Sequence, residues 1–148
     1  KSINETTEVD FITGCLTLYR TEHLKKCGYE NEDYFMYLDD IELSARINRK
    51  GYKLLYVPSA VIYHKVLGEM ESPFKLYYST RNRLKLIKDT DYFIFKHIAR
   101  VYFLLVITGK ILVWSLINKK FARVARKAMS DYFSNNLGRG NGHLVAGL

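Results

Sequence analysis

The sequence predicts an α/β fold over residues 1–90, followed by a helical region. Runs rich in β-branched and aromatic residues at 9–12, 15–19 and 52–57 have the composition of strands. Between them, residues 40–50 carry apolar side chains at helical spacing and are followed by a glycine, which is typical of a helix. This alternation of strand and helix signals indicates the α/β class.

Local signals also predict the other elements. Thr21 can cap a short helix over 21–26, which Gly28 ends. Pro73 can open a helix, because proline is tolerated in the first helical turn. The predicted helices after this point cover 73–88, 92–118 and 119–133. We therefore divide the chain into an α/β part at 1–90, apolar and basic helices at 91–133, and a tail rich in Gly and Asn at 134–148.

Composition and charge restrict the function. The chain has 148 residues, 48% of them hydrophobic, which allows a real core and argues against disorder. A net charge of +8 predicts an anionic partner such as nucleic acid, a phosphate-bearing substrate or acidic lipid. No RRM, KH or helix-turn-helix signature is present in the sequence, so we expect no nucleic acid among the partners. Two cysteines without metal-binding spacing are expected to be reduced.

An acidic doublet, Asp39 and Asp40, stands at the start of the predicted helix 40–50. Free backbone N–H groups and the helix dipole favour an ionised carboxylate at that position. Such a carboxylate can accept a proton from a hydroxyl that is held within hydrogen-bond reach. The alternative is that Asp40 serves only as a helix cap, which is a common use of aspartate.

Two further polar residues are candidates for binding. His64 follows an extended run, and its imidazole can bind a metal ion if oxygen ligands come from elsewhere; otherwise it is structural or exposed. Arg81 can bind a phosphate group through two hydrogen bonds, or else it lies on a solvated helix face.

Four segments carry a family resemblance: VDFITGCLTLYR, CGYENEDYFMYLDDIELSAR, KGYKLLYVPSAVIYH and YYSTRNRL. Together they resemble the second half of a family 2 glycosyltransferase, and are most similar to its rhamnosyltransferase-like and galactofuranosyltransferase-like branch. A family motif of aromatic and acidic residues corresponds here to Phe35, Tyr37, Asp39, Asp40, Glu42, Leu43 and Arg46. The chain departs from the usual pattern at two positions, with Asp39 where many relatives have Glu and Glu42 where Asp is common.

The resemblance implies the C-terminal half of a GT-A fold, the fold of nucleotide-diphospho-sugar transferases, and an inverting transfer reaction. It implies that Asp40 is the catalytic base and that Asp39 shapes the acceptor pocket or orients Asp40. His64 would face the same cleft, near a divalent cation, Mn²⁺ or Mg²⁺. The implied partners are a nucleotide-sugar donor and a glycan or lipid-linked acceptor. The resemblance also covers Arg81, a candidate for cofactor binding, but does not fix its role.

The sequence also suggests what this chain lacks. It begins with Lys and polar residues, and no DXD motif or nucleotide-binding unit precedes the first segment. We therefore expect it to be a piece of a longer protein without the N-terminal half, and to be inactive alone. Apolar side chains at 9–19 and 54–62 should then be exposed, because their natural cover is missing.

The apolar run 101–117 contains Lys110 and is flanked by basic residues. This pattern favours helices that lie on an anionic membrane surface, with a membrane span or a soluble packed helix as alternatives. Combined with the resemblance, it predicts an enzyme at the inner, cytoplasmic face of the cell membrane that builds surface polysaccharide. The rival hypothesis is a non-catalytic basic module that docks on an anionic membrane or a partner.

Overall fold

A computed structural model of the chain describes residues 4–65, 72–90 and 92–140, and the chain divides into two compact units. The first unit comprises 1–31 and 39–69, and the second comprises 32–38 and 70–148. The boundary predicted at residue 90 therefore falls inside the second unit. The described elements, in chain order, are β1 (Thr7–Val9), α1 (Thr21–Cys27), α2 (Asp39–Arg49), β2 (Leu54–Tyr56), α3 (Pro73–Asp89), α4 (Phe93–Ile117) and α5 (Lys119–Phe133).

The first unit combines two helices with a small sheet. β1 and β2 pair antiparallel, with Val9 opposite Leu54. Leu54 packs with Cys27, Leu43 and Ile47, so the core joins β2 to α1 and α2. The predicted mixture of helix and strand is present, although the two described strands alone do not define a GT-A sheet.

Two strand predictions need correction. The strand expected at 9–12 lies earlier in the chain, at Thr7–Val9. The strand expected at 15–19 was wrong, because this segment has no strand assignment and the Thr17 hydroxyl donates to the carbonyl of Thr13 at 3.1 Å. Strand-forming side chains make a strand only beside a pairing partner, and none is paired with this segment in the described part of the chain.

The second unit contains the three longer helices, and their bounds lie within one residue of those predicted. Ser72 caps α3 by accepting a hydrogen bond from Lys75 N at 3.1 Å, with Pro73 in the first turn. Asn118 caps α5 by accepting from Phe121 N at 3.2 Å. The core of the unit is formed by Leu76, Tyr77, Tyr78, Ile107, Val124, Ala125 and Ala128.

Helix α5 runs antiparallel along one side of α4. At one end of the pair, the Arg100 guanidinium lies 5.9 Å from the centre of the Phe133 ring. At the other end, Trp114 meets Phe121 edge to face, with ring centres 5.7 Å apart. Ile107, midway along α4, is 3% exposed and packs in the core. One side of α4 is therefore covered over most of its length.

Candidate active site

The acidic doublet lies at the start of α2, as the sequence predicts. The helix begins at Asp39, so Asp40 is its second residue. Asp40 Oδ1 accepts a hydrogen bond from Ile41 N at 2.8 Å, and Asp40 Oδ2 accepts from Gly14 N at 3.2 Å. Each oxygen of a carboxylate has two acceptor positions, so each oxygen keeps one for another donor. The carboxylate is thus fixed in direction and retains capacity to accept a proton.

Tyr19 belongs to the same neighbourhood, which the sequence did not indicate. Burial raises the pKa of the Tyr19 hydroxyl above its usual 10.0, a hydrogen bond with Thr17 opposes this, and the negative charges of Glu30, Asp40 and Asp39 raise it further. The phenol is therefore neutral and close enough to the doublet to sense its charge. A neutral tyrosine there can offer an O–H donor and an aromatic face to a ligand.

Arg46 fastens α2 to the segment that follows α1. Its guanidinium binds Glu42 through Nε and Nη2, at 3.0 and 2.8 Å. The same group donates to the carbonyls of Cys27 and Tyr29, each at 2.8 Å. Gly28 lies under this network with φ +86°, and a Cβ there would come 2.6 Å from Arg46 Nη1. Both motif residues, Glu42 and Arg46, therefore orient the helix that carries the doublet.

Two polar side chains hold the other side of α2. Ser44 Oγ accepts a hydrogen bond from Ile12 N at 3.3 Å, and Asn48 Nδ2 donates to the Asp10 carbonyl at 2.7 Å. Together with the bond between Asp40 and Gly14, these contacts hold residues 10–14 alongside α2. This segment has no regular secondary structure, so its position depends on these bonds.

His64 lies on the chain after β2, in an exposed segment. It makes no hydrogen bond or ion pair with another described residue, and within 4–65, 72–90 and 92–140 no group of three His, Cys, Asp or Glu side chains could hold a metal ion. The described residues therefore do not supply a complete cation site. A metal-binding role for His64, and its placement on the same side as Asp40, stay predictions.

Arg81 is fully buried in the second unit. Its guanidinium donates to Asn82 Oδ1 at 3.0 Å, and to the carbonyls of Asp33 and Tyr34 at 3.2 Å each. It also stacks over Tyr78, 5.0 Å from the ring centre. Its N–H groups are thus directed at protein oxygens, which favours a structural role. Contact of Arg81 with the nucleotide-sugar donor stays a prediction.

Asn82 holds the loop that leads into the doublet. Its amide nitrogen donates to the carbonyls of Tyr34, Met36 and Tyr37 at 2.7, 2.7 and 2.9 Å. Three loop residues have the left-handed backbone that side chains disfavour: Phe35 (φ 60°), Tyr37 (φ 67°) and Leu38 (φ 67°). The buried amide stabilises this strained turn by satisfying carbonyls that no helix or sheet pairs.

The first unit exposes large apolar side chains in both ranges where the sequence predicted them. Leu18 is 98% exposed and Val61 is 67% exposed. The others in these ranges are Phe11, Leu16, Leu55, Tyr56, Val57 and Ile62. The expected exposure is therefore confirmed for these side chains, whereas Val9, Ile12, Tyr19 and Leu54 pack in or against the core of the unit.

Residues 1–85 match glycosyltransferase-like family 2, which is more than half of the 148 residues. The chain belongs to this family. The resemblance carried by the sequence motifs is thereby confirmed, and the family 2 match includes the doublet, His64, Arg81 and Asn82.

Two curated relatives share part of this family 2 region. Both come from Mycobacterium tuberculosis, strains CDC 1551 / Oshkosh and ATCC 25618 / H37Rv, and both are named N-acetylglucosaminyl-diphospho-decaprenol L-rhamnosyltransferase. Each is 38% identical over 66 residues, which is 44% of this chain and 22% of the relative. The chain thus aligns with about a fifth of their length. No solved structure matches it significantly.

Proposed function

We propose that this chain is the acceptor-side part of an enzyme that transfers a sugar from a nucleotide-sugar donor to a glycan or lipid-linked acceptor. The observation that carries the proposal is the Asp40 carboxylate, which two backbone N–H groups orient within a chain of glycosyltransferase-like family 2. A positioned carboxylate with free acceptor capacity has the chemistry of a general base.

The proposed reaction is a single displacement with inversion. The oxygen of an acceptor hydroxyl forms a bond to the anomeric carbon while Asp40 accepts the hydroxyl proton. The bond from the anomeric carbon to the donor phosphate breaks, and the nucleoside diphosphate leaves with the electron pair. We assign contacts with the acceptor to Asp39, which is adjacent to the base, and to the neutral Tyr19 phenol.

We assign the donor side of the reaction to protein outside this chain. The chain aligns with 22% of each curated relative, and its exposed side chains at 9–19 and 54–62 would pack against the remainder of a GT-A fold. Burial of apolar area contributes about 25 cal/mol per Å², so such a surface favours association with a complementary domain. The divalent cation expected from the family would likewise need ligands from that part.

The relatives' name suggests the acceptor class. Those proteins are named for an acceptor that carries its sugar on a diphospho-decaprenol lipid. We infer a lipid-linked acceptor for this enzyme as well, and a place at the cytoplasmic face of the membrane. Among the described helices, α4 is the one long and apolar enough to cross a membrane, by length and composition.

The packing of α4 favours a position on the membrane surface over a span. Its uncovered side includes a stripe at helical spacing, here named the apolar face of α4: Ile98, Tyr102, Leu105, Leu112 and Leu116, each at least 60% exposed. The opposite side is covered by α5, which carries the exposed cations Arg123 and Arg126. If α4 spanned the bilayer, α5 packed along it would be carried into the membrane with its charged residues, and an arginine in the hydrocarbon costs up to about 2.5–3.5 kcal/mol at the bilayer centre.

Lys110 is compatible with this surface position. At 3.6 residues per turn, it lies about 120° round the helix from the centre of the apolar face. Its side chain is exposed, and its ammonium lies 5.9 Å from the centre of the Trp114 ring. A flat helix can therefore insert its apolar face between lipids while Lys110 stays at headgroup level.

Activity of the full-length enzyme tests the proposed function. Purified protein is incubated with a panel of nucleotide-sugars and a prenyl-diphosphate-linked N-acetylglucosamine, and transfer of radiolabelled sugar to the lipid is measured. We expect label in the lipid fraction with at least one donor. Membrane binding without transfer from any donor to any lipid or glycan acceptor would favour the rival, a non-catalytic docking module.

A further inference from the structure

A basic pocket lies at the junction of α4 and α5. It has a volume of about 450 Å³ and is lined by Ser115, Lys119, Arg123 and Arg126. The three cations occur at spacings of four and three residues on α5, so they share one face of that helix. Within the described part of the chain, none of them forms an ion pair with a carboxylate. Three positive charges therefore surround one cavity without a negative partner.

Hydrogen bonds already organise one wall of this pocket. Arg126 Nε donates to the Ala122 carbonyl at 3.2 Å, and Arg126 Nη2 approaches Ser115 Oγ at 3.4 Å. The Ser115 hydroxyl in turn donates to the Ile111 carbonyl at 2.7 Å. Lys119 is the first residue of α5, where the helix dipole adds further positive potential.

The pocket borders the apolar face of α4. At 3.6 residues per turn, Ser115 lies about 100° from the centre of that face, on the opposite flank from Lys110. Leu112 and Leu116, which belong to the face, are 65% and 85% exposed. When the face rests in a bilayer, the pocket lies at the level of the lipid headgroups, with hydrocarbon directly beside it.

We propose that the pocket formed by Ser115, Lys119, Arg123 and Arg126 binds the diphosphate of a prenyl-linked acceptor, whose chain lies along the apolar face of α4. The proposal rests on the proposed function for the acceptor class. Charge selects the headgroup: a prenyl diphosphate diester carries two adjacent negative charges, whereas a phospholipid such as phosphatidylglycerol carries one. Three cations and a hydroxyl match the diphosphate better than a phospholipid with one charge, because arginine pairs with phosphate oxygens bidentately.

Co-flotation of the chain with vesicles tests this site without using catalysis. Three vesicle types are compared: phosphatidylcholine alone, phosphatidylcholine with prenyl-diphosphate-linked N-acetylglucosamine, and phosphatidylcholine with phosphatidylglycerol at equal total negative charge. We expect the wild-type chain to bind the diphosphate vesicles more tightly than the charge-matched phosphatidylglycerol vesicles. Equal binding to both would overturn the proposal in favour of general attraction to anionic lipid.

Charge-matched variants separate the pocket from the rest of the basic surface. Arg123→Gln removes a pocket cation, whereas Lys120→Gln removes an exposed cation from the same helix that does not line the pocket. We expect Arg123→Gln to weaken binding to the diphosphate vesicles about tenfold, the size of a lost charge-assisted hydrogen bond, and Lys120→Gln to leave the diphosphate preference intact. Equal losses from the two variants would contradict a specific site.

The outcome is distinguishable from that of the proposed function. Diphosphate binding is measured with no donor present, so it does not depend on the doublet or on the rest of the enzyme. If the full-length enzyme transfers sugar but Arg123→Gln binds diphosphate vesicles normally, the proposed pocket is wrong and the proposed function stands. If the chain shows the expected diphosphate preference but the full-length enzyme transfers no sugar, the proposed function is wrong and the pocket stands.

Discussion

The carboxylate of Asp40 accepts a hydrogen bond from the backbone N–H of Gly14, over 3.2 Å. This bond joins the start of α2 to a segment without regular structure, 26 positions earlier in the chain. Because Asp40 Oδ1 is held separately by Ile41 N, the carboxylate has a defined direction before any substrate binds. Such preorganisation is what a general base requires.

We predict that Asn82→Ala destabilises the second unit by about 2–3 kcal/mol. The change removes an amide that donates to three carbonyls and accepts from Arg81. The Tyr34 carbonyl keeps Arg81 and Met36 N as donors, whereas the carbonyls of Met36 and Tyr37 in the strained turn lose this donor. The control is Asn48→Ala, which removes an exposed amide bonded to a single carbonyl. Urea unfolding followed by circular dichroism measures both, and equal small losses would show that Asn82 does not stabilise the loop.

How much of the fold and of the candidate site the sequence could predict depends on how far apart the interacting residues lie along the chain. The bounds of α5 follow from local signals, and Lys119 to Phe133 matches the prediction. The start of α2 also follows from a local acidic pattern. In contrast, the bonds from Asn82 to Tyr34 and Met36 span more than 40 positions, and no local pattern announces them. The failed strand at 15–19 has the same cause, because a strand depends on a neighbour elsewhere in the chain.

Arg81 shows a second limit of prediction from sequence, which is the choice of hydrogen-bond partner. Its residue type suits phosphate binding, which is why the sequence suggests contact with the donor. The fold surrounds its guanidinium with carbonyls and two tyrosine rings, and contact with the nucleotide-sugar donor stays a prediction. Residue type predicted the hydrogen-bonding capacity correctly, but burial determines which oxygens use it.

We predict that Arg46→Lys destabilises the first unit by about 1–3 kcal/mol. A lysine ammonium cannot reproduce the planar donors that bind Glu42 and the carbonyls of Cys27 and Tyr29 together. Arg20→Lys, at an exposed position of the same unit, is the matched control and should change stability little. Thermal unfolding of both variants provides the measurement. A similar midpoint for both would argue against the network.

Lys85 should make the stability of the second unit depend on alkaline pH. Burial lowers the pKa of its ammonium, but the hydrogen bond and charge of Asp89, together with Asp33, outweigh this and raise the pKa above its usual 10.5. The folded state thus holds the proton more tightly than the unfolded state. Its stabilising contribution is complete below about pH 10.5 and is lost as pH rises through the folded pKa.

Replacement of Lys85 by methionine tests the predicted direction of this pH dependence. Lys85→Met should make the decline in unfolding free energy above about pH 10 shallower, because one proton-linked group is removed. Lys88→Met changes an exposed lysine on the same helix and should leave the slope as it is. Urea unfolding between neutral and alkaline pH measures the slopes. An unchanged slope for Lys85→Met would exclude Lys85 as the linked group.

We predict that Leu105→Glu weakens binding of the chain to anionic vesicles at least tenfold. Leu105 lies at the centre of the apolar face of α4 and is 70% exposed, so the variant loses about 2 kcal/mol of buried side chain. Ser130→Glu adds the same charge to an exposed position on α5 and is the control. Wild-type binding should also weaken as salt rises to 1 M, where the Debye length falls to about 3 Å. Flotation losses equal to those of Ser130→Glu, or salt-independent binding, would contradict a combined apolar and electrostatic attachment.

The rate of sugar transfer by the full-length enzyme carrying Asp40→Asn is the most direct test of Asp40 as the general base. Asparagine keeps the shape and one oxygen that can accept from Gly14 N, but it cannot take the acceptor's proton. We predict a fall in kcat of about 10²–10⁴-fold with donor binding nearly intact, while the control Asp10→Asn, an exposed aspartate of the same unit, stays near wild type. Turnover by Asp40→Asn within a few-fold of wild type would contradict this role of Asp40 and place the base elsewhere.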